Sequence, residues 1–308
     1  VYTDLVQGLV MMVAAVLVLF AAMAAIDGGF SGMSEVIGAD DPEAIGPWGA
    51  RGTLGALSWY FVFALGLAGQ PHIVTKMMMN RNVRDIKKIL PLSLAAYAVS
   101  ALLWISVGLV MRALVLEGSH PALGTADAAA PAFLQTYAHP LLAGVVFAGL
   151  LAAIMSTADG FLNIGAAAAI HDIPKALGRS FSNELLWARI ATVVIAVVAA
   201  VFALYAGVLV ALLGAFGWGT FAAALVPVFG IGFNWKRATA TAAIAAIVAS
   251  LTVNFGLQMA ARYTSFSVPF GIDVGAIALL VSLTLFFGIS LASKPPELPS
   301  DIDAVMDI

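Results

Sequence analysis

Eight separate stretches of about 20 or more mostly apolar residues run along this chain, each long enough to cross the hydrocarbon core of a bilayer as a helix. They are Asp4–Ile26, Gly52–Thr75, Ile89–Leu114, Leu141–Ile170, Leu186–Tyr205, Val208–Phe233, Ala238–Ala260 and Gly271–Ala292. Only helices and closed barrels can span lipid, because every backbone polar group there must be satisfied within the fold. Runs such as Ala191–Ala206 lack the every-other-residue alternation of barrel strands. The expected fold is therefore an all-α membrane protein with eight transmembrane helices.

Composition closes off the alternatives. Of 308 residues, 62% are hydrophobic and 10% charged, with a mean hydropathy of +1.02. That is too little polar surface to coat a soluble globule, so a soluble enzyme and a disordered chain are both excluded. The net charge of -3 provides no basic face for nucleic acid. With no cysteine, there are no disulfides, thiolate metal sites or cysteine nucleophiles.

Basic residues orient the spans, since Lys and Arg collect on the cytoplasmic side. Lys76, Arg81, Arg84, Lys87 and Lys88 follow the second stretch, and Lys175, Arg179 and Arg189 the fourth. Lys236 and Arg237 follow the sixth, and Lys294 the eighth. Only Arg51, Arg112 and Arg262 fall on the other side. Strict alternation supports eight crossings in a plasma membrane with both ends cytoplasmic. The opposite loops, Asp27–Arg51 and Glu117–Pro140, are acidic and rich in Gly, Ala and Pro, and the second is expected to hold a short interfacial helix near Ala128–Ala138. Residues 1–292 read as one transmembrane domain and 293–308 as an acidic cytoplasmic tail. Val1 falls in mid-pattern, so the chain is expected to lack its opening spans.

Polar residues at membrane depth are costly and mark candidate sites. The fourth stretch carries Ala153-Ile154-Met155-Ser156-Thr157-Ala158-Asp159-Gly160. The Ala153 carbonyl and the two hydroxyls of Ser156 and Thr157 can converge on one point, an oxygen set that suits a hard cation such as sodium. The competing reading is that both hydroxyls bond carbonyls of their own helix. Asp159 adds a carboxylate that needs a cation, a proton or water at that depth. In the second stretch, Gly66, Gly69 and Pro71 make a poor continuous helix. It either breaks to line a passage or ends at the cytoplasmic surface. The sixth stretch, with Gly214, Gly217, Gly219 and Pro227, either kinks or packs closely. No G-x-S-x-G or H-E-x-x-H accompanies these residues, so hydrolysis has no support and the chain is not expected to be an enzyme.

Four motifs, VYTDLVQG at Val1–Gly8, GQPHIVTKMM at Gly69–Met78, LAAIMSTADG at Leu151–Gly160 and NWKRAT at Asn234–Thr239, stand in the order found in the sodium:solute symporters. The chain resembles that family over nearly its whole length, most closely its bacterial proline-type branch. The resemblance implies a leucine-transporter-like fold of inverted repeats, of which these would be the last eight spans. Missing amino-terminal helices of the same transporter would supply the remaining ion ligands and part of the solute pocket. The coupling ion would be sodium, with Ala153, Ser156 and Thr157 as ligands and Asp159 standing where some members carry a serine of an additional sodium site. The solute side would take Trp59, Phe63, Leu67 and Gln70 from the second span and Trp218 from the gating helix. Proline transporters carry Trp and Tyr where this chain has Phe63 and Leu67, so the polar handles for proline are lost. The implied function is sodium-coupled symport of a small organic solute by alternating access. Two rivals are a symporter-like sensory input domain, which a kinase module after Ile308 would mark, and proton coupling through Asp159.

Overall fold

The computed structural model describes residues 2–80, 82–205, 209–299, 302–303 and 306. Arg81 of the basic loop, Val208 at the start of the sixth stretch and most of the acidic tail beyond 299 lie outside the described residues. All regular secondary structure among the described residues is helical. The helices are α1 (Tyr2–Ala24), α2 (Gly29–Asp40), α3 (Gly52–Gly66), α4 (Pro71–Met78), α5 (Val83–Leu116) and α6 (Ala129–Thr136). They continue with α7 (Pro140–Ala167), α8 (Ile173–Ala176), α9 (Glu184–Tyr205), α10 (Val210–Leu225), α11 (Ala240–Tyr263) and α12 (Val274–Ala292). A π-helical stretch, Ala168–Asp172, joins α7 to α8, and another, Val226–Gly232, extends α10.

Eight stretches are long and apolar enough to cross a membrane. They are Leu5–Ala24, Gly49–Gly69, Arg84–Leu116, Pro140–Ala176, Glu184–Tyr205, Val210–Gly232, Ala240–Tyr263 and Val274–Ala292, matching the eight expected from the sequence. At 1.5 Å per residue, the 34 residues of α5 extend about 51 Å, well beyond the roughly 30 Å hydrocarbon core. Its first turns carry the basic residues Arg84, Lys87 and Lys88.

The chain forms two compact units. The first comprises Val1–Pro42 and Asn80–Leu209. Here α1 packs on α5 and α7, and Val18, Met33, Ile37, Met111, Leu114, Phe133 and Leu134 are fully buried. A short helix does form near Ala128–Ala138: it is α6, whose Phe133 and Leu134 enter this core. One expectation is corrected: the Asp27–Arg51 segment is not merely a loop, because α2 occupies its first half. Met33 and Ile37, one turn apart, bury their side chains and outweigh the helix-weakening glycines. Arg112 Nη2 pairs with Asp40 at 3.1 Å and Asp41 at 3.6 Å beyond the end of α2, an exposed contact worth little by itself.

The second unit comprises Glu43–Met79 and Val210–Ile308, with α3, α4, α10, α11 and α12. Its core joins Val62, Ala222, Ala223, Val226, Ala276, Ala278 and Leu279. Small residues dominate, as expected where lipid tails remove the hydrophobic drive and close backbone packing has to hold helices together. Asp273 caps α12 by accepting from Gly275 N–H at 2.8 Å, and Thr239 caps α11 by accepting from Ala242 N–H at 3.3 Å.

Candidate functional site

In the first unit, α7 runs unbroken from Pro140 to Ala167 and carries Ala153, Ser156 and Thr157 on one side. These three residues line a cavity of about 200 Å³ together with Gln7, Gly8 and Met11 of α1. Since α7 does not break, no helix discontinuity releases the Ala153 carbonyl; what remains is the second lone pair that any helical carbonyl keeps. The walls thus offer hydroxyl, carbonyl and carboxamide oxygens. The described residues contain no cluster of three or more His, Cys, Asp or Glu that could hold a metal ion. A neutral oxygen set of this kind suits a weakly bound monovalent cation better than a zinc-type metal.

Gln7, Gly8 and Met11 were not singled out as site residues from the sequence. The signal was present: Gln7 is a lone carboxamide in an apolar span, which is the same reason that Ser156 and Thr157 stand out. Asp159 is exposed, is not among the residues lining this cavity, and accepts a hydrogen bond from Asn163 Nδ2 at 3.2 Å.

In the second unit, the expected second stretch, Gly52–Thr75, is not one helix. After α3 a single 3-10 turn, Leu67–Gly69, leads to Gln70 in extended conformation (φ -80, ψ 112), and α4 starts at Pro71. Proline pushes its predecessor out of helical geometry and is well placed at a helix's first position. The break is packed against α10. A Cβ on Gly66 would stand 2.6 Å from Trp218 Nε1, and one on Gly69 would stand 2.9 Å from the Phe221 carbonyl oxygen. The glycines therefore serve close approach as well as the break.

Gln70 is buried, and its Nε2 donates to the carbonyls of Gly66 and Trp218, both at 3.2 Å. Its carboxamide nitrogen is committed to holding the break against α10. Trp218 Nε1 in turn donates to the Val62 carbonyl at 3.3 Å. Trp59, Phe63 and Trp218 form a ladder of rings, with centroids 5.3 Å apart for the first pair and 5.4 Å for the second. The Arg51 guanidinium lies 4.0 Å over the Trp59 ring, within cation–π range. Trp59 Nε1–H is buried without an acceptor among the described residues. Four of the five residues expected on the solute side are brought together in this way, while half-buried Leu67 starts the 3-10 turn after α3.

The first half of α3 is fixed as well. Ser58 Oγ donates to the Gly55 carbonyl at 2.7 Å and accepts from Asp273 N–H at 2.9 Å. Asp273 lies just before α12 and outside the apolar stretch Val274–Ala292. Burial pushes its carboxyl above the ordinary range, opposed by hydrogen bonds from Gly275 and Ala276 and by the charge of Arg51. Trp218→Phe is expected to keep the ring ladder, lose the bond to Val62 and cost about 0.5–1.5 kcal/mol, measurable by thermal unfolding of the purified protein.

A family model described as Sodium:solute symporter family matches residues 1–249. Over 254 residues the chain is 28% identical to the high-affinity proline transporter PutP of Bacillus subtilis (strain 168), covering 80% of this chain and 52% of that protein. Over 315 residues it is 26% identical to the sodium/proline symporter of Staphylococcus aureus (strain NCTC 8325 / PS 47), covering 99% of this chain and 61% of that one. The chain thus spans about half the length of the first of these relatives, and less than two thirds of the second. In three dimensions it is similar to a Na+-coupled sialic acid symporter solved in a substrate-bound, outward-open state. The TM-score is 0.73 at 19% identity, over 97% of this chain and 63% of that one. That likeness assigns the fold.

Proposed function

The chain belongs to the sodium:solute symporter family, and from that premise we propose that it is part of a sodium-coupled symporter of a small organic solute working by alternating access. The observation that carries the reading is the cavity that brings Gln7, Gly8 and Met11 of α1 against Ala153, Ser156 and Thr157 of α7. Sodium held by the two hydroxyls and the Ala153 carbonyl stabilises one conformation. Its release on the cytoplasmic side, where the basic loops and the tail lie, loosens that conformation and frees the solute. Coupling is a difference in ion affinity between two states, since equal affinity would shift nothing. One positive charge entering across 100 mV supplies about 2.3 kcal/mol, close to fiftyfold accumulation before the sodium gradient adds its share.

On the solute side, the ladder of Trp59, Phe63 and Trp218 supplies a flat apolar wall. Trp59 Nε1–H supplies a donor to a polar group of the solute, and Leu67 closes the inner end above the Gln70 break. Proline lacks its expected polar partners at Phe63 and Leu67, so the solute is tested openly. Uptake of a panel of labelled small solutes, proline included, into proteoliposomes holding the full-length protein is expected to require sodium on the outside. Solute uptake that is indifferent to sodium overturns the reading.

Asp159 has a separate role in this reading, because it points to Asn163 rather than to the cavity. Asp159→Asn is expected to leave the sodium dependence of uptake within about twofold, as befits an exposed carboxylate. Proton coupling through Asp159 predicts the opposite: uptake that follows pH, ignores sodium and is lost in the variant.

A further inference from the structure

The α10 helix is held from two sides. Toward α3, Trp218 stacks on Phe63, donates Nε1–H to the Val62 carbonyl and accepts from Gln70 through its own carbonyl. Thr220 stands two residues on, about 200° around the helix, and turns toward α11. There Asn254 Nδ2 donates to Thr220 Oγ1 at 2.7 Å, and Thr220 Oγ1 donates in turn to the Phe216 carbonyl at 2.7 Å. The Phe216 ring meets Phe255 edge-on with centroids 5.2 Å apart, so α10 and α11 also touch through an apolar contact beside this bond. Gly217 and Gly219 flank Trp218. A Cβ on Gly219 would stand 3.0 Å from Gly275 Cα, so packing on α12 calls for that glycine. Nothing stands within 4 Å of a Cβ on Gly217, so packing does not call for it, and it weakens the helix just before Trp218. The rotation of α10 at Trp218 therefore depends on the side-chain bonds on its two faces.

Asn254 is a costly way to join two membrane helices. It is 1% exposed and lies well inside α11, and its Oδ1 is buried with no donor among the described residues. An apolar side chain of similar size would avoid that unmade hydrogen bond. Nor does Thr220 need the carboxamide, since its hydroxyl already bonds the Phe216 carbonyl. Hydrogen bonds between membrane helices contribute little stability on average. The fold thus gains little from the pair, and what the pair does achieve is geometric: it fixes the face of α10 opposite Trp218.

We propose that Asn254 is a positioning residue for the solute wall: through Thr220 it sets the rotation of α10 that keeps Trp218 stacked on Phe63 and bonded to Val62. This rests on the reading of Trp218 as part of that wall. Asn254 acts through Thr220 and touches no solute itself. Without its bond, α10 stays packed through Phe216 on Phe255 and Gly219 on Gly275, but loses the tie that holds Trp218 at one angle.

The test uses the full-length protein, labelled with fluorotryptophan and held in nanodiscs. The fluorine NMR signal of Trp218 is identified by its loss in Trp218→Phe. Asn254→Leu is expected to shift that signal and to melt no lower than the unsubstituted protein. For any solute of the labelled panel that enters proteoliposomes with sodium, it is expected to raise KM about fivefold and to leave kcat within about twofold. Thr220→Val keeps the side-chain shape but leaves the Asn254 carboxamide wholly unpaired. It is expected to shift the Trp218 signal likewise and to lower the melting temperature by about 2–4 °C. Thr220→Ser, which keeps the hydroxyl, is expected to leave both unchanged. The double variant, Asn254→Leu with Thr220→Val, is expected to match Asn254→Leu alone, because the tie is already gone. The proposal is overturned if the Trp218 signal or the solute KM is unchanged in Asn254→Leu, or if Thr220→Ser shifts the signal as Thr220→Val does. It is also overturned if Asn254→Leu melts as low as Thr220→Val, the mark of a residue that merely holds two helices together. If no solute of the panel enters with sodium, the symport reading fails by itself, and the Trp218 signal and the melting temperatures still decide the role of Asn254.

Discussion

Replacing Ser156 and Thr157 together with alanine is expected to abolish sodium-driven uptake while leaving the protein folded. Both residues sit on the cavity side of an unbroken α7, and neither is in the buried core of its unit. Removing them therefore empties a site without opening a hole in the packing. A hydroxyl oxygen facing a cation is worth about 1.5–3 kcal/mol, so losing two weakens apparent sodium affinity by about 100-fold or more. At ordinary sodium concentrations the ion-bound conformation is then not populated, and the solute gradient collapses. The measurement is uptake against sodium concentration, with thermal unfolding alongside. Transport with unchanged sodium dependence would falsify the assignment of the ion site to α7. A variant that recovers at very high sodium supports it, because weakened affinity can be overcome by mass action and a broken fold cannot.

The second large effect is expected at Gly69. A Cβ there would lie 2.9 Å from the Phe221 carbonyl oxygen, 2.9 Å from Val226 Cγ2 and 3.0 Å from the Val226 nitrogen. Two of these are backbone atoms, which cannot swing aside as a side chain can. Gly69→Ala therefore has to move α10 or the 3-10 turn, at about 2–3 kcal/mol. It also disturbs Gln70, whose bonds to Gly66 and Trp218 depend on the local chain path. A fall in melting temperature by roughly 4–10 °C and loss of uptake are expected together. Gly214→Ala is the control: nothing stands within 4 Å of its Cβ, and alanine is the better helix former by about 1 kcal/mol. Equal melting temperatures for the two variants would show that the close approach at Gly69 carries no energy.

Much of this arrangement was legible from residue order, and the part that was not has physical causes. Spans are set by the long apolar runs, and all eight appear where the runs are. The break in the second span follows from Pro71 acting on Gln70, a local steric rule that needs no tertiary information. The sequence left open whether the second stretch breaks to line a passage or ends at the cytoplasmic surface; α3 does end at Gly66, and the close backbone approach to α10 at the 3-10 turn after it was not foreseen. By contrast, α2 was hidden. Its glycines look like loop, and its helical signal is an i,i+4 pair, Met33 and Ile37, whose value comes from a core built by distant residues. Nor can sequence tell how a buried amide is used. Gln70 looks like a solute ligand, but its nitrogen is taken by two backbone carbonyls. Gln7 looks like an isolated polar residue in α1, and only the packing of α1 on α7 brings it to the cavity.

The π-helical stretch Val226–Gly232 has a bearing on how relatives should be aligned. A π turn bonds each N–H five residues back rather than four, so it takes up one residue more than an α turn while leaving the flanking helices facing the same way. Pro227 at its start supplies the cause, since proline lacks the N–H and crowds the carbonyl four residues earlier. A family member with one residue fewer across 226–232 would still deliver its counterparts of Trp235 and Arg237 to the same faces of the helix that corresponds to α12. Single-residue gaps belong in this stretch, and deletions of one residue there should be tolerated where deletions within α10 or α11 are not.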